Sequence, residues 1–213
     1  RVTRSGERAV LMDAPPGKED VAPFLLIARK LSELGFSAPG ILAEDSAAGF
    51  LLLEDLGDAT FTRLLDAGEP AAPLYEMAAD VLIDLHTRPP VEAIPSGLAT
   101  YSDALMVTEA ALLTEWYLPA SSGRDVPGDV GAAYRDLWAG LLPLARDVPD
   151  TLVLRDFHVD NLIRIDGREG RAACGLLDFQ DAVAGPVSYD FVSLVEDARR
   201  DVDDDLRAAL RHR

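Results

Sequence analysis

Two short apolar strands in the last third of the chain each run into a polar residue, and this arrangement constrains the fold more than any other feature. The first strand, Leu152–Leu154, leads into Asp156, and Asn161 follows five residues after that aspartate. The second strand ends in Asp178. Carboxylate and amide oxygens are hard ligands of the kind that hold Mg²⁺. The stretch 151–190 therefore predicts a metal-dependent site at the ends of two strands.

The spacing of these three residues is typical of phosphoryl transfer, which needs phosphates held by metal and a hydroxyl aimed in line. In this interpretation Asp156 accepts the proton of the hydroxyl, Asn161 binds one Mg²⁺ through its side-chain oxygen, and Asp178 bridges metal to phosphates. The kinase pattern H-R-D-x-x-x-x-N followed by D-F-G is matched at five positions. Leu154 stands in place of the histidine and Gln180 in place of the final glycine.

An alternative is that the three residues are ordinary turn formers, since Asp and Asn are common at strand ends. The order of the elements before them favours the functional interpretation. Apolar patterns predict strands at 9–13, 41–43 and 50–53, with a helix between Glu19 and Leu34 that has acids in its first turn and stops at Gly35. Helical patterns then dominate, at 58–67, 72–86, 101–118, 129–146, 188–198 and 202–211.

This order predicts an α+β, two-lobed protein-kinase-like fold. A small antiparallel sheet with one helix forms a nucleotide-binding lobe over residues 1–56. A larger, mainly helical lobe over residues 57–213 carries the catalytic and substrate-binding groups. The chain begins without a methionine and stops inside a helical pattern, so the fold is expected to be incomplete at the N-terminus, with a possible gap at the C-terminus.

Composition excludes several classes of partner. The formal net charge is −17 and the chain holds only Lys18 and Lys30 as lysines, which argues against binding to a nucleic-acid backbone. No apolar run approaches the length of a membrane span. The single cysteine, Cys174, lies on an apolar strand and is interpreted as a small buried hydrophobe in a reducing compartment. The sequence therefore predicts a cytoplasmic protein with a small-molecule substrate.

The motifs LRDFHVDNL and GLLDFQDAVAGPVSYDFVSL resemble those of the aminoglycoside phosphotransferase and choline kinase-like family. Together with AVLMDAPP and GFLLLEDLGD, they are most similar to bacterial kinases that phosphorylate the anomeric hydroxyl of N-acetylmuramate and N-acetylglucosamine. The similarity runs from about residue 9 to residue 198. It implies ATP and Mg²⁺ as cofactors, and a sugar 1-phosphate product used in peptidoglycan recycling.

The resemblance also implies roles for individual residues. Glu54, Asp55 and Leu56 would form the hinge whose backbone meets adenine. Asp190, together with Arg155, would support the catalytic loop as a structural group.

The segment 155–161 is called the catalytic loop and the segment 178–180 the metal loop. Candidate acceptor-binding residues are His158 in the catalytic loop, Asp181 directly after the metal loop, and Trp116 at a helix end. Each has a structural alternative, which is packing for His158, a turn for Asp181 and the core for Trp116.

Two departures from the kinase pattern leave alternatives open. The strand at 9–13 has no lysine for the nucleotide phosphates, and Met12 lies near the expected place. Only eight residues precede that strand, and a phosphate-covering hairpin needs more chain, so we expect it to lie outside this sequence. The alternatives are an aminoglycoside or choline-like amino-alcohol phosphotransferase, and an ATP-binding pseudokinase without turnover.

Overall fold

A four-stranded antiparallel sheet in the order β1-β2-β4-β3 forms the first part of the computed structural model, which describes residues 1–213 apart from the side chain of residue 4. Its strands are β1 Val2–Arg4, β2 Glu7–Asp13, β3 Ile41–Asp45 and β4 Phe50–Glu54. The three predicted strands are confirmed. β1 was not predicted, because it is a three-residue edge strand whose pairing with β2 depends on a turn at Ser5-Gly6, where both residues have positive φ.

Helix α1, Ala22–Glu33, packs on this sheet through its predicted apolar face. It ends as expected, with Gly35 at a φ of 84°, the left-handed conformation that closes many helices. The prediction of acids in the first turn is wrong. Pro23 lies in the first turn, where its missing N–H is tolerated, and Asp20 precedes the helix, accepting a 2.9 Å hydrogen bond from the Ala22 amide.

The second part is mainly helical, as the sequence predicts. Its helices are α2 Phe61–Asp66, α3 Ala71–His86, α4 Pro90–Ala93, α5 Asp103–Leu112, α6 Leu118–Ser122, α7 Gly128–Ala145, α8 Tyr189–Val195 and α9 Asp204–Arg211. Two antiparallel strand pairs lie among them: β5 Asp150–Val153 with β8 Val183–Pro186, and β6 Leu162–Arg164 with β7 Cys174–Leu176. The α+β, two-lobed protein-kinase-like class is confirmed.

The helix predicted over 101–118 differs from expectation. The Ser102 side chain caps the start of α5 by accepting from the Leu105 amide, and a five-residue π-helical segment, Leu113–Tyr117, joins α5 to α6. Pro119 lies in the first turn of α6 and has no N–H to donate to the preceding turn. The wider π turn accommodates this interruption, so the helical path continues to Ser122.

One hydrophobic core runs through both parts of the molecule. The rings of Phe24 on α1 and Phe179 stack with centroids 5.1 Å apart, which ties the first helix to the segment that carries Asp178. Cys174 is buried in this core, and burial raises the pKa of its thiol to about 12. Over the described residues, none of the helices combines the length and the hydropathy that a membrane crossing requires.

Replacing Gly49 with Ala should destabilise the protein by roughly 3 kcal/mol or more. Gly49 has a φ of 78°, and an added Cβ would lie 1.9 Å from the carbonyl oxygen of Ala14. Gly68→Ala is the matched control, because Gly68 has a φ of 88° and open space around it; it should cost only about 1–2 kcal/mol. Urea unfolding measures both. Equal losses would contradict the steric argument.

Candidate active site

The β6–β7 hairpin brings Asn161 and Asp178 together across 17 positions of sequence. Leu162 pairs with Leu176, and one step further along the hairpin the Leu177 amide donates to the Asn161 carbonyl at 2.9 Å. The side chains follow the backbone, because Asn161 Nδ2 lies 3.4 Å from Asp178 Oδ2. The two predicted metal ligands are therefore neighbours.

The Asn161 amide has a defined orientation. Its Nδ2 donates to the backbone carbonyl of Asp156 at 3.0 Å, which leaves Oδ1 as the atom free to meet a cation. Asp178 Oδ1 accepts from Gln180 Nε2 at 2.7 Å, so the residue that replaces the kinase glycine fixes the carboxylate.

An amide oxygen beside an exposed carboxylate suits Mg²⁺, which prefers oxygen ligands and completes its octahedron with water and substrate phosphates. No cluster of three or more His, Cys, Asp or Glu side chains suited to a metal ion occurs among the described residues. Two protein oxygens leave most of an octahedron to water and substrate phosphates, so this donor set fits a cation shared with a phosphate-bearing ligand.

Asp156 follows β5 and joins this pair through the Asn161 side chain. Its carboxylate is half-buried and accepts no hydrogen bond from any side chain or amide that the structure describes. A carboxylate in this state is able to accept a proton from a bound hydroxyl. The base and the two ligands predicted from the sequence thus meet at one place, between the sheet-and-helix part and the helical part.

The buried carboxylate of Asp190 holds the catalytic loop. It is 1% exposed, and its two oxygens accept from the amides of Leu154 at 2.7 Å and Arg155 at 2.9 Å. Burial raises the pKa of Asp190 to about 7, with the neighbouring charge of Asp156 acting in the same direction. These two hydrogen bonds are the contacts that a supporting role for Asp190, which stays a prediction, would use.

Two residues of the site have strained backbones. Arg155 has a φ of 68° and Asp178 a φ of 57°. Such left-handed conformations cost about 1–3 kcal/mol for residues other than glycine and collect at functional sites. At Arg155, the hydrogen bond from the backbone amide to the Asp190 carboxylate stabilises this conformation. The following residue, Asp156, accepts a hydrogen bond from Asn161 through its carbonyl.

The Arg155 side chain points away from Asp156 and is anchored on α5. Its Nη2 lies 2.5 Å from Glu109 Oε1, and its guanidinium lies 5.7 Å from the centre of the Tyr101 ring. The Tyr101 hydroxyl donates to the other oxygen of Glu109. Glu109 and Tyr101 are not predicted by the sequence, because nothing in the local pattern of α5 shows which of its acids faces a residue 46 positions away.

The hinge prediction falls on a cavity of about 290 Å³ between the two parts of the molecule. Asp55 and Leu56 line it, and neither backbone amide donates a hydrogen bond to another described residue. Arg1, which pairs with Asp55, also lines the cavity. Most of the other walls are apolar side chains and residues around Asp178, including Val10, Met12, Phe24, Leu53, Ile163, Leu177 and Asp178. This is a slot of the kind that takes a flat ring with polar edges.

The Glu54 carboxylate is bound by other parts of the protein. Its Oε1 lies 2.6 Å from Arg168 Nη2, and its Oε2 accepts from the Gly40 amide. Arg168 also donates to Ser37 Oγ at 2.9 Å. These contacts join the first part of the chain to the β6–β7 region behind the cavity.

The three predicted acceptor-binding residues lie in different surroundings. His158 is 6% exposed, and its Nε2 lies 3.4 Å from Asn161 Nδ2. Asp181 is exposed and lines a larger cleft beside the metal loop. Trp116 is 72% exposed on the π-helical segment, so the core alternative for this residue is wrong.

The sequence and the fold both match known proteins. A family model described as "Phosphotransferase enzyme family" matches residues 1–213. The N-acetylmuramate/N-acetylglucosamine kinase of Caulobacter vibrioides is 33% identical over 98% of this chain and 66% of its own length. The kinase of the same name from Pseudomonas aeruginosa is 37% identical over 92% of this chain and 55% of its own length. The chain thus spans between half and two thirds of these curated relatives.

Solved structures share the fold at low identity. Choline kinase LicA from Streptococcus pneumoniae superposes with a TM-score of 0.66 at 14% identity, covering 98% of this chain and 67% of that one. The ADP-bound aminoglycoside phosphotransferase APH(2'')-Ib has a TM-score of 0.58 at 17% identity, covering 88% and 64%.

The pH dependence of stability should change in Asp190→Asn. Because burial raises the folded-state pKa of Asp190 to about 7 from 3.8, the native chain binds more protons than the unfolded chain between these values. The contribution of Asp190 to the free energy of unfolding is therefore fully present below pH 3.8 and is lost as pH rises through 7. The wild type's advantage over Asp190→Asn in urea unfolding should be larger at about pH 5 than at about pH 8. A pH-independent difference would contradict the raised pKa.

Glu109→Gln should lower kcat about tenfold or more while leaving the KM for nucleotide near its wild-type value, because a loosened Arg155 misplaces the base. Glu115→Gln is the matched control, since Glu115 pairs with Arg135 on the exposed side of the same helical region. Glu109→Asp, which keeps the charge, should recover part of the rate. A loss of rate that merely follows the melting temperature would show that Glu109 serves folding alone.

Proposed function

This chain belongs to the phosphotransferase enzyme family, and on that basis we propose that it transfers the terminal phosphoryl group of ATP to the anomeric hydroxyl of an N-acetylated amino sugar, N-acetylmuramate or N-acetylglucosamine. The observation that carries the proposal is the convergence of Asp156, Asn161 and Asp178 at one place. The acceptor class is supported by the relatives, which carry that name at 33% and 37% identity.

The nucleotide binds with its base in the hinge cavity. The free backbone groups of Asp55 and Leu56 meet the polar edge of adenine, and the apolar walls from β2, β4 and Leu177 enclose its faces. This orientation directs the phosphates toward Asp178, which lines the same cavity. Residues 1–56 then form the nucleotide-binding lobe and residues 57–213 the catalytic lobe.

Asn161 Oδ1 and the Asp178 carboxylate hold Mg²⁺. An ion held by these two residues would supply positive charge for the β- and γ-phosphates. Gln180 and the Asp156 carbonyl act earlier, by orienting the two ligands before any cation arrives. Such preorganisation reduces the reorganisation needed at the moment of reaction.

Asp156 receives the proton of the acceptor hydroxyl and keeps that hydroxyl in line with the phosphoryl group. Its position is set from two sides. The hydrogen bonds to Asp190 fix the backbone of the two residues before Asp156. The Asn161 side-chain amide fixes the Asp156 carbonyl. Because the reaction consumes ATP, we also propose a cytoplasmic location, with peptidoglycan recycling as its setting.

The proposal is tested by incubating the full-length protein with ATP, Mg²⁺ and one of four acceptors, which are N-acetylmuramate, N-acetylglucosamine, kanamycin and choline. We expect ADP release with the sugars and a sugar 1-phosphate in the ³¹P NMR spectrum. Asp156→Ala should lower kcat by about 10²–10⁴-fold and keep nucleotide binding, whereas Asp166→Ala, at an exposed turn, should retain the rate.

Three outcomes would contradict the proposal. Turnover with kanamycin or choline and neither sugar would reject the acceptor. Absence of turnover by the full-length protein with every acceptor would reject the kinase activity in favour of a pseudokinase. An ATP-induced rise in melting temperature that is independent of Mg²⁺ would reject the metal assignment to Asn161 and Asp178, because a ligand that binds the native state more tightly raises its stability further.

A further inference from the structure

The side-chain amide of Asn161 is surrounded by more acceptors than it has hydrogens. Its Nδ2 lies 3.0 Å from the Asp156 carbonyl oxygen, 3.4 Å from His158 Nε2 and 3.4 Å from Asp178 Oδ2. A primary amide has two N–H groups, so one of these three contacts is left without a hydrogen. The Asp156 carbonyl is the closest of the three, and His158 and Asp178 therefore compete for the second hydrogen.

We propose that His158 is a positioning residue for the metal site. With Asp178 engaged by a cation, His158 Nε2 accepts the second Asn161 hydrogen and so keeps Asn161 Oδ1 directed at the same cation. The proposal rests on the proposed function, because it takes Asn161 and Asp178 as the Mg²⁺ ligands. It gives His158 a role through Asn161 and no contact with either substrate.

The local backbone places the two side chains together. Val159–Asn161 form one turn of 3-10 helix, and the Asn161 amide donates to the His158 carbonyl at 2.9 Å. In this kind of helix, side chains three positions apart lie one above the other. The His158 amide donates at 3.1 Å to the Asp156 carbonyl, the same oxygen that accepts from Asn161 Nδ2. The positions of His158 and Asn161 are thus fixed to one another and to Asp156.

The sequence leaves an acceptor-binding role and a packing role open for His158, and its burial argues against the first. The side chain is buried. It lines neither the hinge cavity nor the cleft beside the metal loop. A side chain covered in this way has little surface to offer a bound sugar, whereas its Nε2 is already within reach of a metal ligand.

The ring nitrogens of His158 argue against a role in packing alone. Because Asn161 Nδ2 is a donor, the contact is a hydrogen bond only when Nε2 carries a lone pair, which places the proton of the neutral ring on Nδ1. His158 Nδ1 is buried, and no described residue contacts it as a hydrogen-bond partner. A buried N–H without a partner is destabilising, so packing by itself favours an apolar side chain here. The imidazole is therefore explained by what Nε2 does.

Loss of the His158 acceptor should weaken the binding of the cation and leave the binding of the nucleotide base unchanged. Without Nε2, the second Asn161 hydrogen has only Asp178 Oδ2 as a described partner. That hydrogen bond and the cation then compete for the same carboxylate oxygen. Mutation of a group that orients a metal ligand typically changes metal affinity about 10–100-fold.

His158→Gln and His158→Asn form a matched pair of variants. The Gln side-chain oxygen is as many bonds from Cβ as Nε2 is, whereas the Asn oxygen corresponds to Nδ1, so only Gln restores the acceptor. Calorimetric titration of the full-length protein with ATP, in Mg²⁺ and in EDTA, gives the factor by which Mg²⁺ tightens ATP binding. We expect this factor to fall about tenfold, or to one, in His158→Asn and to stay within about threefold of wild type in His158→Gln. The Kd for ATP in EDTA should be unchanged in both.

Two further variants complete the test. His158→Leu also lacks the acceptor and suits a buried place, so it should match His158→Asn and replaces that variant if it melts early. His86→Asn is the control. His86 ends α3 and has a buried Nε2 without a partner among the described residues, but it lies beside α9, away from Asn161. The Mg²⁺ factor of His86→Asn should equal that of the wild type.

Three results would overturn the role of His158. A wild-type Mg²⁺ factor in His158→Asn and His158→Leu would show that Nε2 is not needed. Equal losses in the Gln and Asn variants would assign the effect to the shape of the ring. Weaker ATP binding in EDTA would indicate a direct contact with the nucleotide. Failure of the proposed function is distinct from these, because it would appear in the wild type, as a Mg²⁺ factor of one or as absent sugar turnover.

Discussion

The site depends on one buried carboxylate that accepts two backbone hydrogen bonds. Asp190 binds the consecutive amides of Leu154 and Arg155, and these amides lie where β5 ends and the catalytic loop begins. A backbone amide buried without a partner costs about 1–3 kcal/mol, so Asp190 offsets the penalty of ending the strand inside the protein. It also permits the left-handed conformation of Arg155, which in turn aims Asp156. The raised pKa of Asp190 reflects the burial that this role requires.

Two strand pairs bring the other residues of the site together around Asp190. The β5–β8 pair sets Val153 opposite Val183, and so brings the catalytic loop alongside the segment that follows Asp178. The β6–β7 pair brings Asn161 to Asp178. Each pair is only three or four residues long, so contacts outside the pair also support it. One such contact is the Arg155 side chain, which reaches Glu109 on α5 and the Asp181 carbonyl. The anchoring of Arg155 on Glu109 thereby links the helical region 103–145 to Asp156, the proposed catalytic base.

The contacts between the two parts of the molecule fall into an anchored side and an open side. Behind the hinge, Arg168 joins Glu54 to Ser37, and the Leu176 amide donates to the Ser37 carbonyl. On the other side, apart from the Phe24–Phe179 stack, α1 faces the cleft beside the metal loop. The hinge side of the molecule is therefore restrained by hydrogen bonds, whereas the α1 side borders an open cleft.

Local sequence patterns determined the predicted strands, most helices and the three candidate residues Asp156, Asn161 and Asp178. The spacing of apolar residues and the residue types at turns are encoded within a few positions of each residue. The spacing of Asp156, Asn161 and Asp178 belongs to this local information. The pattern did not give β1 or the π-helical segment, which depend on strand pairing and on the turn before Pro119. Only the tertiary structure decided which acid meets Arg155, which side chains line the cleft, and that Glu54 is occupied by Arg168. Such choices depend on distances between segments far apart in sequence, and no periodicity records those distances.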